Sequence, residues 1–93
     1  MKLRWTKRAL KNLEMEAEHI GNDDADVAKK VVQRIHDLLA LLVENPGMGR
    51  PGRIPGTREL VITGTRYLIP YKVKGQEIQI LRVFHTSKKW PPA

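Results

Sequence analysis

The sequence contains no cysteine and no long run of apolar residues. The missing cysteines exclude a disulfide framework and any metal site built on thiolates. The histidines His19, His36 and His85 lie too far apart for the short ligand spacings of zinc sites. A bilayer span needs about 18 consecutive apolar residues, and residues 1–5 lack the apolar centre of a signal peptide. We therefore expect a cytoplasmic protein that uses no metal, no cofactor and no membrane.

Acidic residues are scarce in the second half of the chain. Residues 47–93 carry nine basic residues and two acidic ones, whereas residues 1–46 carry eight of each sign. The net charge of +7 therefore belongs entirely to the second half. A one-sided positive field indicates a negatively charged partner: nucleic acid, a ribosome or an acidic protein segment. A surface that served only solubility would intersperse its charges.

The motifs of enzyme chemistry are also missing, since the chain has no nucleophile motif, no Gly-rich phosphate loop and no paired carboxylates. His85 is the one candidate, because nearby lysines disfavour a charged imidazole and so suit a general base. A histidine that is only hydrogen-bonded at a strand end is the alternative. Side chains alternate along a strand, so Arg82 and His85 are expected on opposite faces.

Hydrophobic spacing predicts a strand and two helices in the first half. Leu3 and Trp5 alternate, as in a short strand. Thr6 is expected to cap a first helix that ends at Gly21, because apolar residues recur at helical spacing between these positions. The acidic residues within 22–24 favour the start of a second helix, which is expected to run to about residue 44.

The second half predicts a loop followed by a sheet. Residues 48–57 are rich in glycine, proline and arginine, which indicates a loop. Strands are expected at residues 59–63, 67–73 and 77–85, joined by hairpin turns. Pro70 has no backbone N–H, so a bulge or an unpaired stretch is expected there. The third strand is apolar on both faces and is expected at the centre.

Together these elements predict one α+β domain over residues 1–93, with the order β-α-α-β-β-β. The two helices are separated by a few residues and should pack as an antiparallel hairpin. That hairpin is expected to cover one face of a small, twisted, mostly antiparallel sheet.

Six segments, in this order, resemble the RelE/ParE superfamily of toxins from bacterial type II toxin–antitoxin systems. They are WTKRAL at 5–10, LVENPGMG at 42–49, REL at 58–60, YLIPYKV at 67–73, ILRVFH at 80–85 and KKWP at 88–91. The resemblance covers nearly the whole chain and implies the same fold. It also implies growth inhibition, plasmid stabilisation, a cognate acidic antitoxin, and contact with operator DNA only through that antitoxin.

The superfamily implies two unlike activities. ParE-like members inhibit DNA gyrase, whereas RelE-like members cut mRNA on the ribosome without metal. RelE-like sequences tend to carry an arginine three residues before the tyrosine of the middle strand, where it stabilises the transferred phosphate. Here the tyrosine is Tyr71 and that position holds Leu68, which has no charge to offer a phosphate. The resemblance therefore favours the ParE-like branch.

The expected site residues differ between these activities. A nuclease would use 2′-hydroxyl attack with His85 as acid or base, while Arg82 and Lys88 neutralise the phosphate. A gyrase inhibitor would perform no chemistry and would spread its binding over several contacts. The candidate target-binding residues are Arg50, Arg53, Arg58, Arg66, Lys88, Lys89 and Trp90.

Overall fold

A computed structural model describes residues 1–91, in which two helices pack on a six-stranded sheet. In chain order the elements are β1 (Lys2–Trp5), α1 (Lys7–Asp23), α2 (Ala25–Glu44), β2 (Arg50–Pro51), β3 (Arg58–Ile62), β4 (Tyr67–Lys74), β5 (Glu77–Ile80) and β6 (Phe84–His85). The predicted α+β class and helical hairpin are confirmed. The last two positions of the predicted domain lie outside the described residues. Neither helix is long and apolar enough to cross a membrane.

Thr6 begins α1 as predicted and also ties the helix to the sheet. Its side-chain oxygen accepts a hydrogen bond from the N–H of Ala9 at 3.2 Å and donates one to the carbonyl of Ile80 at 2.8 Å. One short polar side chain thus satisfies a free amide of the first turn and fixes where α1 leaves β1.

The prediction that Gly21 ends α1 is wrong, because the helix continues to Asp23. Asp24 alone separates the two helices. Its backbone N–H donates to the carbonyl of Ile20 at 2.9 Å, and its carboxylate accepts from the N–H groups of Asp26 and Val27. This residue closes one helix and caps the next, so no glycine is needed at the junction.

The strands follow the order β1-β5-β4-β3-β2, and β6 also pairs with β4. The β1–β5 pair is parallel and the other pairs are antiparallel. The longest strand, β4, takes the middle position, while β5 is an interior strand with a neighbour on each side. The predicted loop contains the two-residue strand β2, which pairs with the start of β3.

The predicted strand over residues 77–85 is interrupted at residues 81–83 and forms β5 and β6 instead. The interruption lies opposite Pro70, whose carbonyl accepts from the N–H of Leu81 at 2.9 Å. Pro70 has no N–H with which to donate a hydrogen bond to the opposite strand. At this point β4 therefore stops pairing with β5, and it pairs with β6 instead. The unpaired stretch expected at Pro70 is thus found only on the β5 side, because Pro70 stays paired with Glu59 of β3.

The two faces of the sheet carry different clusters. The helices cover one face, whose strand residues in the main core are Leu60, Ile62, Tyr67, Ile69, Tyr71, Ile78 and Ile80; Val83, between β5 and β6, joins this core. The opposite face, here called the open face, carries a smaller cluster of Leu68, Phe84 and Trp90, against which Ile54 packs.

Tyr71 holds the loop after α2 against the sheet. Its buried hydroxyl donates to the carbonyl of Pro46 at 2.8 Å and accepts from the N–H of Gly49 at 2.9 Å. Burial raises the pKa of the Tyr71 hydroxyl above its ordinary value, so the proton that it donates is retained. Arg58 adds a bond from Nη1 to the carbonyl of Gly49 at 2.8 Å.

Gly49→Ala tests this anchor, because a β-carbon at Gly49 would lie 2.6 Å from both Cε1 and the hydroxyl oxygen of Tyr71. We expect this overpacking to lower the free energy of unfolding by about 2 kcal/mol, measured by urea denaturation. Gly47→Ala is the control, since its β-carbon would meet nothing within 4 Å. The control should change stability by less than about 0.5 kcal/mol. Equal losses of stability in the two variants would show that close packing of Gly49 against Tyr71 does not contribute to the stability of the protein.

Candidate functional site

An open groove of about 660 Å³ lies between α1 and the chain that follows β5. Its α1 wall consists of Asn12, Met15, Glu16, Glu18, His19 and Asn22, and its other wall consists of Arg82, Val83, Phe84, His85, Ser87 and Lys88. Among residues 1–91 β6 pairs only with β4, so the other edge of β6 borders this groove.

The candidate catalytic residues His85, Arg82 and Lys88 all line this groove. The expectation that Arg82 and His85 lie on opposite faces is compatible with this, because Arg82 contacts Trp90 of the open face whereas His85 contacts Tyr67 of the main core. The strand between them is interrupted, and side chains of both faces border a groove that runs along its edge. The described part of the chain contains no cluster of histidines and acidic residues that could hold a metal ion.

The α1 wall adds Glu16 and His19, which no sequence motif connected with His85. They lie more than sixty positions away along the chain, so spacing gave no signal. Only the packing of α1 beside β6 brings these titratable side chains together.

The imidazole of His85 is held in one orientation. Its Nδ1 accepts from the backbone N–H of Ser87 at 3.1 Å, and its ring meets Tyr67 edge-on with the centroids 5.3 Å apart. A neutral imidazole that accepts at Nδ1 carries its proton on Nε2. In this conformation a neutral His85 can donate a hydrogen bond through Nε2, but its one lone pair is occupied. Service as a general base would require the turn at residues 86–87 to move.

Trp90 attaches the last described segment, residues 86–91 (the tail), to the open face. The side chain is only 6% exposed and its ring lies 5.1 Å from that of Phe84, centroid to centroid. The guanidinium carbon of Arg82 lies 5.7 Å from the Trp90 ring centroid, a cation–π distance. Burial, with a smaller contribution from the charge of Arg8, lowers the pKa of Arg82 below its ordinary value. Within residues 1–91 the indole Nε1–H has no hydrogen-bond partner.

A buried carboxylate joins the loop before β3 to the tail. Glu59 is 1% exposed and accepts from Nε and Nη2 of Arg50 at 3.2 and 3.1 Å, and from the backbone N–H of Arg53 at 3.0 Å. The Nη1 of Arg53 in turn donates to the carbonyl of Trp90 at 2.6 Å. Two of the predicted target-binding arginines are thus part of a connection that holds the tail.

The three loop arginines do not form one surface. Arg58 is paired with Tyr71 on the helix-covered side, whereas Arg50 and Arg53 contact Glu59 on the open face. Side chains alternate between the two faces of a strand, and Arg58 and Glu59 are consecutive residues of β3. They therefore face opposite sides of the sheet.

Besides Arg50 and Arg53, which are exposed but hydrogen-bonded as described, the exposed members of the predicted target-binding set lie in or beside the tail. Lys88 and Lys89 are exposed within the tail, and Arg66 is exposed in the turn before β4. The N–H of Thr86 donates to the carbonyl of Arg66 at 2.8 Å, which brings the turn and the tail together. Binding of a target by the seven predicted residues stays a prediction.

Known proteins share both the sequence and the fold. A family model described as "ParE toxin of type II toxin-antitoxin system, parDE" matches residues 3–90. The protein named "Putative toxin Y4kP" of Sinorhizobium fredii (strain NBRC 101917 / NGR234) is 44% identical over 90 residues, which cover 97% of this chain and 93% of that protein.

Two solved structures extend the comparison. The chromosomal ParDE TA system from P. aeruginosa contains a chain with 38% identity and a TM-score of 0.82, and the match covers 91% of this chain and 95% of that one. The YoeB dimer from Staphylococcus aureus has 17% identity and a TM-score of 0.62, over 91% of this chain and 97% of that one. The second likeness concerns the fold alone.

These matches confirm the resemblance to the RelE/ParE superfamily that the six sequence segments indicated. The match to the family model and the similarity to Y4kP each extend over nearly the whole chain. The chain belongs to the ParE toxin family and is a toxin of a type II toxin–antitoxin system.

Proposed function

We propose that this toxin arrests bacterial growth by poisoning DNA gyrase. In this proposal the protein performs no chemistry of its own. It binds the enzyme through several surface contacts and leaves gyrase with cleaved DNA. Membership of the ParE family supports the proposal, and one structural observation carries it further.

That observation is the burial of Leu68 on the open face. Leu68 is 3% exposed, pairs with Phe84 and Val61 on the neighbouring strands, and packs against Trp90. It occupies the position where the RelE-like resemblance implies a phosphate-stabilising arginine. An apolar side chain beneath the tail can neither supply a charge nor admit a phosphate. The geometry therefore supports a binding function better than a nuclease.

Ribosome-dependent mRNA cleavage is the second candidate, and the shared groove of His85, Arg82 and Lys88 favours it. Such an enzyme needs a group that removes the proton from the attacking 2′-hydroxyl. The hydrogen bond from Ser87 to Nδ1 of His85 occupies the lone pair that this step would use. We therefore propose mRNA cleavage only as the second candidate, after gyrase inhibition.

We also propose a cognate acidic antitoxin, since the toxin carries a net charge of +7. A partly disordered acidic chain that folds as it binds would neutralise this field over a large surface. Contact with operator DNA would then be made by the antitoxin, and the pair would serve as a plasmid-stabilisation module. Co-expression with the product of the adjacent short reading frame should restore growth.

A pair of assays on wild-type protein and His85→Ala tests the mechanism. The wild type should inhibit supercoiling by purified gyrase, trap cleaved DNA and leave mRNA intact in a translating extract. His85→Ala should keep this inhibition within about threefold, because most single interface residues contribute little. A nuclease would instead cut mRNA and lose on the order of 10²-fold or more of that activity in His85→Ala. That second pattern, with gyrase unaffected, would refute gyrase poisoning.

A further inference from the structure

Four cations lie together at the β1-β5-β4 end of the open face. The pairing registers align them in two rows across the three strands: one row holds Lys72, Gln79 and Arg4, and the next holds Lys74, Glu77 and Lys2. These six residues are called the sheet-face patch below.

The alternation of side chains along each strand shows on which side of the sheet the patch lies. Tyr71 and Ile78 belong to the helix-covered core, and Leu3 packs against it. Their immediate neighbours along each strand therefore face away from the helices. The Leu68 cluster with Trp90 occupies the other end of this same open face.

Glu77, the one acidic residue of the patch, is already paired with two of its neighbours. The Oε1 of Glu77 lies 3.5 Å from Nη1 of Arg4 and accepts from Nε2 of Gln79 at 2.9 Å. The hydrogen bond from Gln79, and then the charge of Arg4, lower the pKa of Glu77 below its ordinary value. Lys72 and Lys74 have no ion-pair or hydrogen-bond partner among residues 1–91. The charges left uncompensated are those of Lys2, Lys72 and Lys74.

The chemistry of the patch distinguishes between partners. Protein interfaces are depleted in lysine at their centres and enriched in aromatic residues. Protein–DNA interfaces are polar and strongly positive, and phosphate contacts supply much of their affinity. The sheet-face patch offers three free lysines and no aromatic side chain, so it fits a phosphate backbone better than an acidic protein surface.

We propose that the toxin contacts the phosphate backbone of double-stranded DNA, without reading its sequence, through Lys2, Lys72 and Lys74. This inference rests on the proposed function, because a protein that poisons gyrase meets the DNA that gyrase holds. The contact should weaken as salt rises, since each neutralised phosphate adds about −0.9 to the slope of log affinity against log salt.

The test measures binding of a short fluorescent DNA duplex by anisotropy between about 50 and 200 mM salt. The variant is Lys72→Glu with Lys74→Glu. The control, Lys29→Glu with Lys30→Glu, makes the same change of charge at exposed positions of α2. We expect the sheet variant to bind at least about tenfold more weakly at low salt, with a slope smaller by about two, and the control to resemble the wild type. All three proteins should unfold at the same urea concentration.

Equal weakening in both variants would overturn the proposal, and so would an absence of salt-dependent binding by the wild type. Polyglutamate binding that is lost in the sheet variant, without any loss of duplex binding, would overturn it in favour of an acidic protein partner. Gyrase inhibition measured in parallel separates this inference from the proposed function. If only the sheet variant binds the duplex more weakly, DNA binding by the sheet-face patch is supported, even where the wild type does not inhibit gyrase. If the wild type inhibits gyrase but the sheet variant binds the duplex normally, DNA binding by the patch is rejected and the proposed function is not.

Discussion

Trp90→Ala is expected to abolish growth inhibition and to lower the free energy of unfolding by about 3 kcal/mol. The side chain is 6% exposed, and its removal would leave Leu68 and Phe84 facing a cavity. The end of the tail would then keep the bond between Arg53 and the carbonyl of residue 90 but lose its apolar contact with the open face, while the bond from Thr86 to Arg66 would still hold the start of the tail. Growth on induction and urea unfolding measure the two effects.

Trp5→Ala separates loss of the tail from general loss of stability. Trp5 is half-buried against the main core, far along the chain from the tail. Its removal should destabilise the protein to a similar extent and leave toxicity intact. Trp90→Phe should also remain toxic, because it keeps a ring in the cluster and removes an indole N–H that lacks a partner. Full toxicity of Trp90→Ala would show that attachment of the tail is unnecessary.

Local signals in the sequence were sufficient for most of the fold. Helical spacing, the hydroxyl of Thr6 and the hairpin turns predict elements from neighbouring residues, and these elements are present. The missing N–H of Pro70 predicted a loss of pairing there, which occurs on the side of β5, whereas β4 itself continues and stays paired with β3. Its consequence for β5 and β6 was missed, because the break appears on the opposite strand, in an apolar run that looks continuous.

The candidate site depends on contacts between distant parts of the chain. Glu16 and His19 share a groove with His85 only because α1 lies across from β6 in the folded chain. Glu59 looks like an ordinary strand residue in the sequence, yet it is buried and joins Arg50 and Arg53 to the tail. Charge counting found a basic half, but it gave no means of separating arginines that hold the loop from lysines that remain free.

The tail presents Lys88 and Lys89 between two fixed points. On one side the N–H of Lys88 donates to the carbonyl of His85 at 3.0 Å. On the other side Trp90 is buried and held by Arg53. Lysines on a segment held at both ends lose less conformational freedom on binding than lysines on a free terminus, which favours contact with a partner.

Lys88→Glu with Lys89→Glu is therefore expected to weaken inhibition of purified gyrase at least about tenfold, because like charges now face a surface that had attracted the tail. Both side chains are exposed, so the free energy of unfolding should change by less than about 0.5 kcal/mol. The α2 variant Lys29→Glu with Lys30→Glu, which carries the same net charge, should inhibit gyrase like the wild type. Equal losses of gyrase inhibition in both variants would show that the effect comes from the overall charge of the protein. No loss in either would move the contact with gyrase away from the tail.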